Sequence, residues 1–237
     1  MERLDKFLVS QNIGSRKDVG KLVRGGAVAI NGQAVKDPAQ KLEPGADRVT
    51  VEGREVAYRK YLYIMMNKPA GVLSATEDRD APTVLDLLPW EWRRRGLFPA
   101  GRLDKDTTGL LLITDDGDYA HRMLAPKSHV YKLYEASTQR PVTQEDIEAF
   151  ARGVRYGELR FAPARLRREQ RAGEEVALVE IREGKFHQVK RMFQATGNQV
   201  VRLKRLAIGG LALDPALGLG ECRLLTGEEA ASVFSKG

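Results

Sequence analysis

One stretch limits what this chain can become more than any other: Gly101-Arg102-Leu103-Asp104-Lys105-Asp106-Thr107-Thr108-Gly109-Leu110-Leu111-Leu112. Two glycines bracket a polar turn, and the apolar run Leu110-Leu111-Leu112-Ile113 leads away from it. The run reads as a buried strand. The turn then sits at the strand's end, where a rigid scaffold displays reactive groups. Asp104 lies between Arg102 and Lys105. A carboxylate in such a positive field stays ionised and can serve as nucleophile or base. Taken alone, a turn of this kind is more often a charged surface loop than a site, so the rest of the chain must decide.

Composition narrows the choice. The 237 residues suffice for a medium domain plus a small one, and 42% are hydrophobic, enough for a real core. Lys and Arg outnumber Asp and Glu by 39 to 32, a net charge of +7, which favours a polyanionic partner such as nucleic acid. A single cysteine, Cys222, excludes an internal disulfide and fits a reducing compartment. The opening Met1-Glu2-Arg3-Leu4-Asp5-Lys6 has no apolar signal core, and no run is long enough to span a membrane. The expectation is a soluble, cytoplasmic, monomeric protein with no membrane partner.

In chain order, Leu4, Phe7, Leu8 and Ile13 have helical spacing over 2–13, ended by Gly14. Ser15 caps a second helix over 15–24. Its Val19, Leu22 and Val23 share one face, leaving Arg16, Lys17, Lys21 and Arg24 for the other. Asn31-Gly32 between short apolar runs is a strong hairpin signal. A strand follows near 48–51, then a polar, turn-rich linker with a frayed strand end over 52–60. Arg3-Leu4-Asp5-Lys6-Phe7-Leu8, Ser15-Arg16 and Val28-Ala29-Ile30-Asn31-Gly32 together resemble the RNA-binding module first described in small-subunit ribosomal protein S-four. That resemblance implies phosphate contacts from the basic helix, which position RNA without reading its sequence.

Beyond the linker, Tyr61–Met66 reads as a strand ended by the turn Asn67-Lys68-Pro69-Ala70-Gly71. Pro82–Leu88 reads as a short helix, and Trp90-Glu91-Trp92-Arg93-Arg94-Arg95 as an RNA clamp or a tethered loop. Asp115, Asp116 and Asp118 read as turn and helix cap, not as a metal loop. Strands are expected over 130–136, 154–169 (two short ones), 175–182, 200–208 and at Leu224-Leu225. Helices are expected over 143–152, from 185 to about 196, and after Thr226. Strands and helices without regular alternation argue for α+β with a mainly antiparallel sheet.

Four separated motifs, Asn67-Lys68-Pro69-x-Gly71, the Arg102-Leu103-Asp104 turn, Lys132-Leu133-Tyr134 and Gly184-Lys185-Phe186-His187-Gln188-Val189-Lys190-Arg191-Met192-Phe193, resemble those of the pseudouridine synthases that modify ribosomal RNA. The resemblance runs over nearly the whole chain. It implies a small S-four-like module and linker over 1–59 and, over 60–237, a catalytic domain with a mixed, mainly antiparallel sheet. It makes Asp104 the nucleophile, Tyr134 the aromatic that packs on the target uracil, and Lys190 the cation paired with Asp104. Lys68, Arg102 and Arg191 join Arg16, Lys17, Lys21 and Arg24 as expected RNA contacts. The last motif is similar to the small-subunit branch, which implies one uridine of 16S rRNA, position 516 in the usual bacterial numbering, free or in a small-subunit assembly particle. Isomerising uridine adds and removes no group, so no cofactor and no metal are expected. Two alternatives stand beside this: a synthase acting on 23S rRNA, and a non-catalytic RNA-binding assembly factor. His121, His129 and His187 have no metal-ligand spacing, and Cys222 has no adjacent base.

Overall fold

The computed structural model describes residues 1–93, 96–171 and 173–235. These form two compact units, one of residues 1–61 with 88–97, the other of residues 62–87 with 98–237.

In the first unit β1 (Glu2–Arg3) leads into α1 (Leu4–Ser10) and α2 (Arg16–Arg24). The helix α1 is shorter than its apolar spacing suggests. It ends at Ser10, and Asn12, not Gly14, takes the left-handed conformation that turns the chain (φ 61°). Asn tolerates that region because its short polar side chain bonds locally; here its amide donates to the carbonyls of Trp90 and Glu91 at 3.1 Å each. That contact helps hold segment 88–97 in this unit, although a single cut at 59/60 assigns it to the second. At the start of α2, Ser15 and Asp18 form a reciprocal capping box, worth about 1 kcal/mol. β2 (Val28–Ile30) and β3 (Gln33–Val35) pair through Asn31 and Gly32, both at positive φ, as a tight hairpin of this twist demands. β4 (Lys41–Leu42) pairs with β1, and β5 (Val49–Val51) and β6 (Arg54–Glu55) complete a four-stranded sheet. The stretch 52–60 is therefore partly strand. Leu4, Phe7, Leu8, Val19, Val23 and Val28 close the core, so the opposite face of α2 leaves Arg16, Lys17, Lys21 and Arg24 exposed.

The second unit is built on a nine-stranded sheet. Its strands are β7 (Tyr63–Lys68), β8 (Phe98–Pro99), β9 (Thr108–Thr114), β10 (Lys132–Thr138), β13 (Arg165–Arg171), β14 (Glu174–Ile181), β15 (Val200–Ile208), β16 (Leu211–Ala212) and β17 (Cys222–Leu224). A separate hairpin, β11 (Arg155–Tyr156) with β12 (Leu159–Arg160), precedes β13. The main path runs β13-β14-β10-β15-β9-β7-β17, with β16 on β15 and β8 on β9. Every described pairing in it is antiparallel except β15 with β9, so the fold is α+β.

Among the described residues four α-helices accompany the sheet: α3 (Gly117–Leu124), α4 (Gln144–Arg152), α5 (Gln188–Ala195) and α6 (Gly227–Ser232). Asp116 caps α3, while Thr143 with Asp146 and Thr226 with Glu229 form capping boxes on α4 and α6. Residues 82–88 differ from expectation: they form turns, not a helix, and Asp86 accepts from the Thr83 backbone and hydroxyl. A cap was present, but the segment lacks the length for a helix to be stable without packing. Among the described residues no helix is long and apolar enough to cross a membrane.

The parallel junction needs a glycine. Gly109 has φ +98° and pairs with Arg205 so closely that a Cβ there would overlap the Arg205 backbone. Gly109→Ala therefore strains the backbone and pushes β9 off β15, a loss of about 3 kcal/mol or more. Urea unfolding of the variant should show a clearly lowered midpoint, or the chain should fail to accumulate as soluble protein.

Candidate active site

The site begins at Lys68, the last residue of β7, paired across the sheet with Gly109 at the start of β9. Its side chain is 0% exposed. The ammonium donates to the carbonyls of Pro69 (2.9 Å), Asp104 (3.2 Å), Lys105 (3.3 Å) and Thr107 (3.0 Å). The last three are carbonyls of the turn before β9, and Pro69 directly follows β7. Other bonds fix the same turn: Thr107 N–H to Asp104 O (3.1 Å), Gly71 N–H to Lys105 O (2.8 Å), and the Ser74 hydroxyl to Leu103 O (3.0 Å). Burial pushes the Lys68 amine down to about 8, partly resisted by Asp106 and Asp104. The expectation that Lys68 contacts RNA is corrected here. A fully enclosed ammonium whose hydrogens already meet four carbonyls cannot reach a phosphate.

The turn so held presents Asp104 with its carboxylate about a quarter exposed. Lys190, in the first turn of α5, places its Nζ 3.3 Å from Asp104 Oδ2, and His187 Nε2 lies 3.5 Å from Oδ1. The Lys190 pairing implied by the resemblance is therefore present, but the shortest Lys190 contact is elsewhere. Its ammonium donates to Asp106 Oδ1 at 2.6 Å. That hydrogen bond holds the Asp106 carboxyl below the usual carboxylate range. Both Asp104 contacts are longer than an ordinary N–H···O bond, so the cation supplies a field without locking the carboxylate.

An open cleft of about 60 Å³ lies against this carboxylate. Tyr134 lines it from β10, 8% exposed, across from Val179 and Arg205. A register shift between Leu133 and Tyr134 interrupts the pairing with β15 at that point, and such a bulge re-aims a side chain. Leu103, Ile181, Val189 and Leu203 give the cleft apolar walls, and Arg102 stands exposed at its edge. Thr107 also lines it, and among the described residues the buried Thr107 hydroxyl has no hydrogen-bond partner. A carboxylate, an aromatic plate, apolar walls and flanking cations suit one planar base attached to a phosphate backbone.

Arg191 follows Lys190 in α5, and its guanidinium lies over the Phe186 ring. Arg16, Lys17, Lys21 and Arg24 belong to the first unit. For the expected clamp, Trp90–Trp92 is a single helical turn with Trp90 exposed and Trp92 half-buried, and Arg94 and Arg95 lie outside the described residues. Three residues went unselected in the sequence: Asp106, His187 and Arg205. Asp106 was legible in principle, since a turn folding Thr107 back on Asp104 brings two carboxylates two residues apart to one cation. His187 at φ 53°, and Arg205, whose buried guanidinium donates to Leu110 O at 2.8 Å, needed the tertiary fold.

Residues 62–195 match the family described as RNA pseudouridylate synthase, and residues 2–47 match the S4 domain. The uncharacterized RNA pseudouridine synthase YtzG of Bacillus subtilis (strain 168) is 50% identical over 229 residues, 96% of each chain. Ribosomal small subunit pseudouridine synthase A of Escherichia coli (strain K12) is 44% identical over 234 residues, covering 98% of this chain and 99% of its own. A crystal structure of a pseudouridylate synthase superposes with a TM-score of 0.65 at 38% identity, over 98% of this chain and all of that one.

Lys68→Met keeps the apolar stem and removes the ammonium, leaving four carbonyls short of a donor. The variant should fold with a lowered midpoint and lose more turnover than RNA affinity. Sign also matters. Between about pH 8 and the normal lysine range the unfolded chain keeps a proton that folded Lys68 has released, so this residue makes stability rise with pH there and lowers it as pH falls through about 8. Denaturation midpoints across pH 7–10 should show that contribution in the parent and not in Lys68→Met.

Proposed function

The chain belongs to the RNA pseudouridylate synthase family, and on that premise we propose that it converts one uridine of 16S ribosomal RNA, position 516, to pseudouridine through Asp104. The observation that carries the reading is the Asp104 carboxylate set in an open cleft with Tyr134 beside it and Lys190 3.3 Å away. The 16S target is supported by the 44% identity to the E. coli protein named for the small ribosomal subunit.

The reaction breaks the bond from uracil N1 to ribose C1′ and makes one from C5 to the same carbon. The C5 proton is lost and N1 gains one, so atoms balance without a co-reactant. The target base leaves its stack and enters the cleft, with Tyr134 as a stacking face. Asp104 acts at C1′, at uracil C6 or as base at C2′, and each route requires its ionised form. Lys190 stands beside it as the counter-cation, 3.3 Å from Oδ2. The bound ring is held between apolar walls that exclude water, which strengthens those charges. We read residues 1–59 as the RNA-binding module and linker and 60–237 as the catalytic domain. The exposed Arg16, Lys17, Lys21 and Arg24 then supply phosphate contacts.

Two measurements test this. Primer extension after carbodiimide treatment, on 16S and 23S rRNA from a deletion strain, should lose one stop in 16S; a stop lost in 23S alone assigns the chain to the large subunit. Complementation with Asp104→Asn should leave the stop absent while RNA binding persists. A variant that restores it would return the chain to the class of non-catalytic assembly factors. Separately, Arg16→Ala or Lys17→Ala should weaken RNA binding and lower the slope of log affinity against log salt by up to about one unit each, leaving turnover of bound RNA unchanged.

A further inference from the structure

Phe186 is an apolar ring left 65% exposed beside a cleft that its two neighbours, Lys185 and His187, both line. It is not loose. The His187 ring stacks on it with centroids 3.7 Å apart and planes at 23°, and the Arg191 guanidinium carbon lies 4.9 Å from its centroid. His187 holds the left-handed conformation, φ 53°, which a non-glycine residue adopts at a cost and which therefore marks a constraint. The same imidazole reaches to 3.5 Å from Asp104 Oδ1. A layered assembly of ring, imidazole and guanidinium thus runs from solvent to the reacting carboxylate.

We propose that Phe186, backed by His187 and flanked by Arg191, is the stacking platform for an unpaired nucleotide adjoining the target uridine. This rests on the functional reading above and names a contact that the reading does not contain. Moving one base into the cleft exposes the faces of its neighbours, and an unpaired base recovers that loss by stacking on an aromatic ring or a guanidinium plane. Charge selects nucleic acid as the occupant. Among the described residues neither Arg191 nor Arg102 has a carboxylate partner, whereas Lys185 is neutralised by Glu183 at 3.0 Å. Two unpaired guanidinium groups beside an exposed ring suit a base with its phosphate. Because His187 touches both Phe186 and Asp104, the neighbouring base also steadies the catalytic turn. His187 is accordingly a positioning residue.

The test is a double-mutant cycle on the full chain. The RNA is a fluorescein-labelled synthetic hairpin of 16S rRNA carrying the target uridine, read by anisotropy for binding and by carbodiimide stops for turnover. Phe186→Ala should bind this RNA about 5- to 100-fold more weakly, with an unchanged unfolding midpoint because the ring is exposed. Phe186→Tyr should bind as the parent does. Making one flanking nucleotide abasic should weaken the parent by a similar factor and Phe186→Ala hardly at all. Phe186→Ala binding like the parent, or losing the same factor with every abasic RNA, overturns the platform. If the parent chain forms pseudouridine in no ribosomal RNA, the functional reading falls instead, and the anisotropy cycle still decides the platform.

Discussion

The arrangement depends on one buried ammonium. Enclosing a charged lysine costs several kcal/mol, and the fold recovers it by offering Lys68 the carbonyls of Pro69, Asp104, Lys105 and Thr107. The trade works only because β7 and β9 are paired with Lys68 opposite Gly109, which sets the amine under the turn that precedes β9. The turn gains a fixed backbone before any ligand arrives. That is preorganisation in a literal sense: the turn's dipoles and the Asp104 carboxylate are held in place by the fold itself.

Above that floor one cation serves two carboxylates without locking either oxygen of Asp104. One lysine faces two carboxylates, bonding Asp106 at 2.6 Å and standing 3.3 Å from Asp104. An arginine would fork onto one carboxylate and occupy both oxygens. A lysine is a point charge that Asp106 can anchor while Asp104 keeps lone pairs open toward the cleft. Asp106 is mostly exposed, so its own bond to Lys190 adds little stability. It fixes where the ammonium sits, 3.3 Å from Asp104 Oδ2.

Much of the fold was legible because its signals are local. The capping pairs Ser15 with Asp18, Thr143 with Asp146 and Thr226 with Glu229 appear where the sequence has them, since a cap bonds within three residues of itself. The Asn31-Gly32 hairpin follows from the dihedrals those residues tolerate. The errors are equally physical. Residues 82–88 had a cap and apolar side chains but no length, so local turns won. Gly14 looked like a helix stop, yet Asn12 turned the chain because its amide had partners around residue 90. The motifs named Asp104, Tyr134 and Lys190, and the fold brings their side chains to one cleft or its edge. They could not show that Lys68, a cation in the same motifs, points inward.

The sequence by itself determined the caps, the hairpin, the alternating strands and the charge excess, because each is decided by neighbours within a few residues. Only the tertiary structure decided which cations are free and which are held. It buried Lys68 by sheet pairing, divided Lys190 between two carboxylates, and layered Phe186, His187 and Arg191 at the cleft. A side chain's burial and partners depend on segments far away in the chain, and no local pattern contains them.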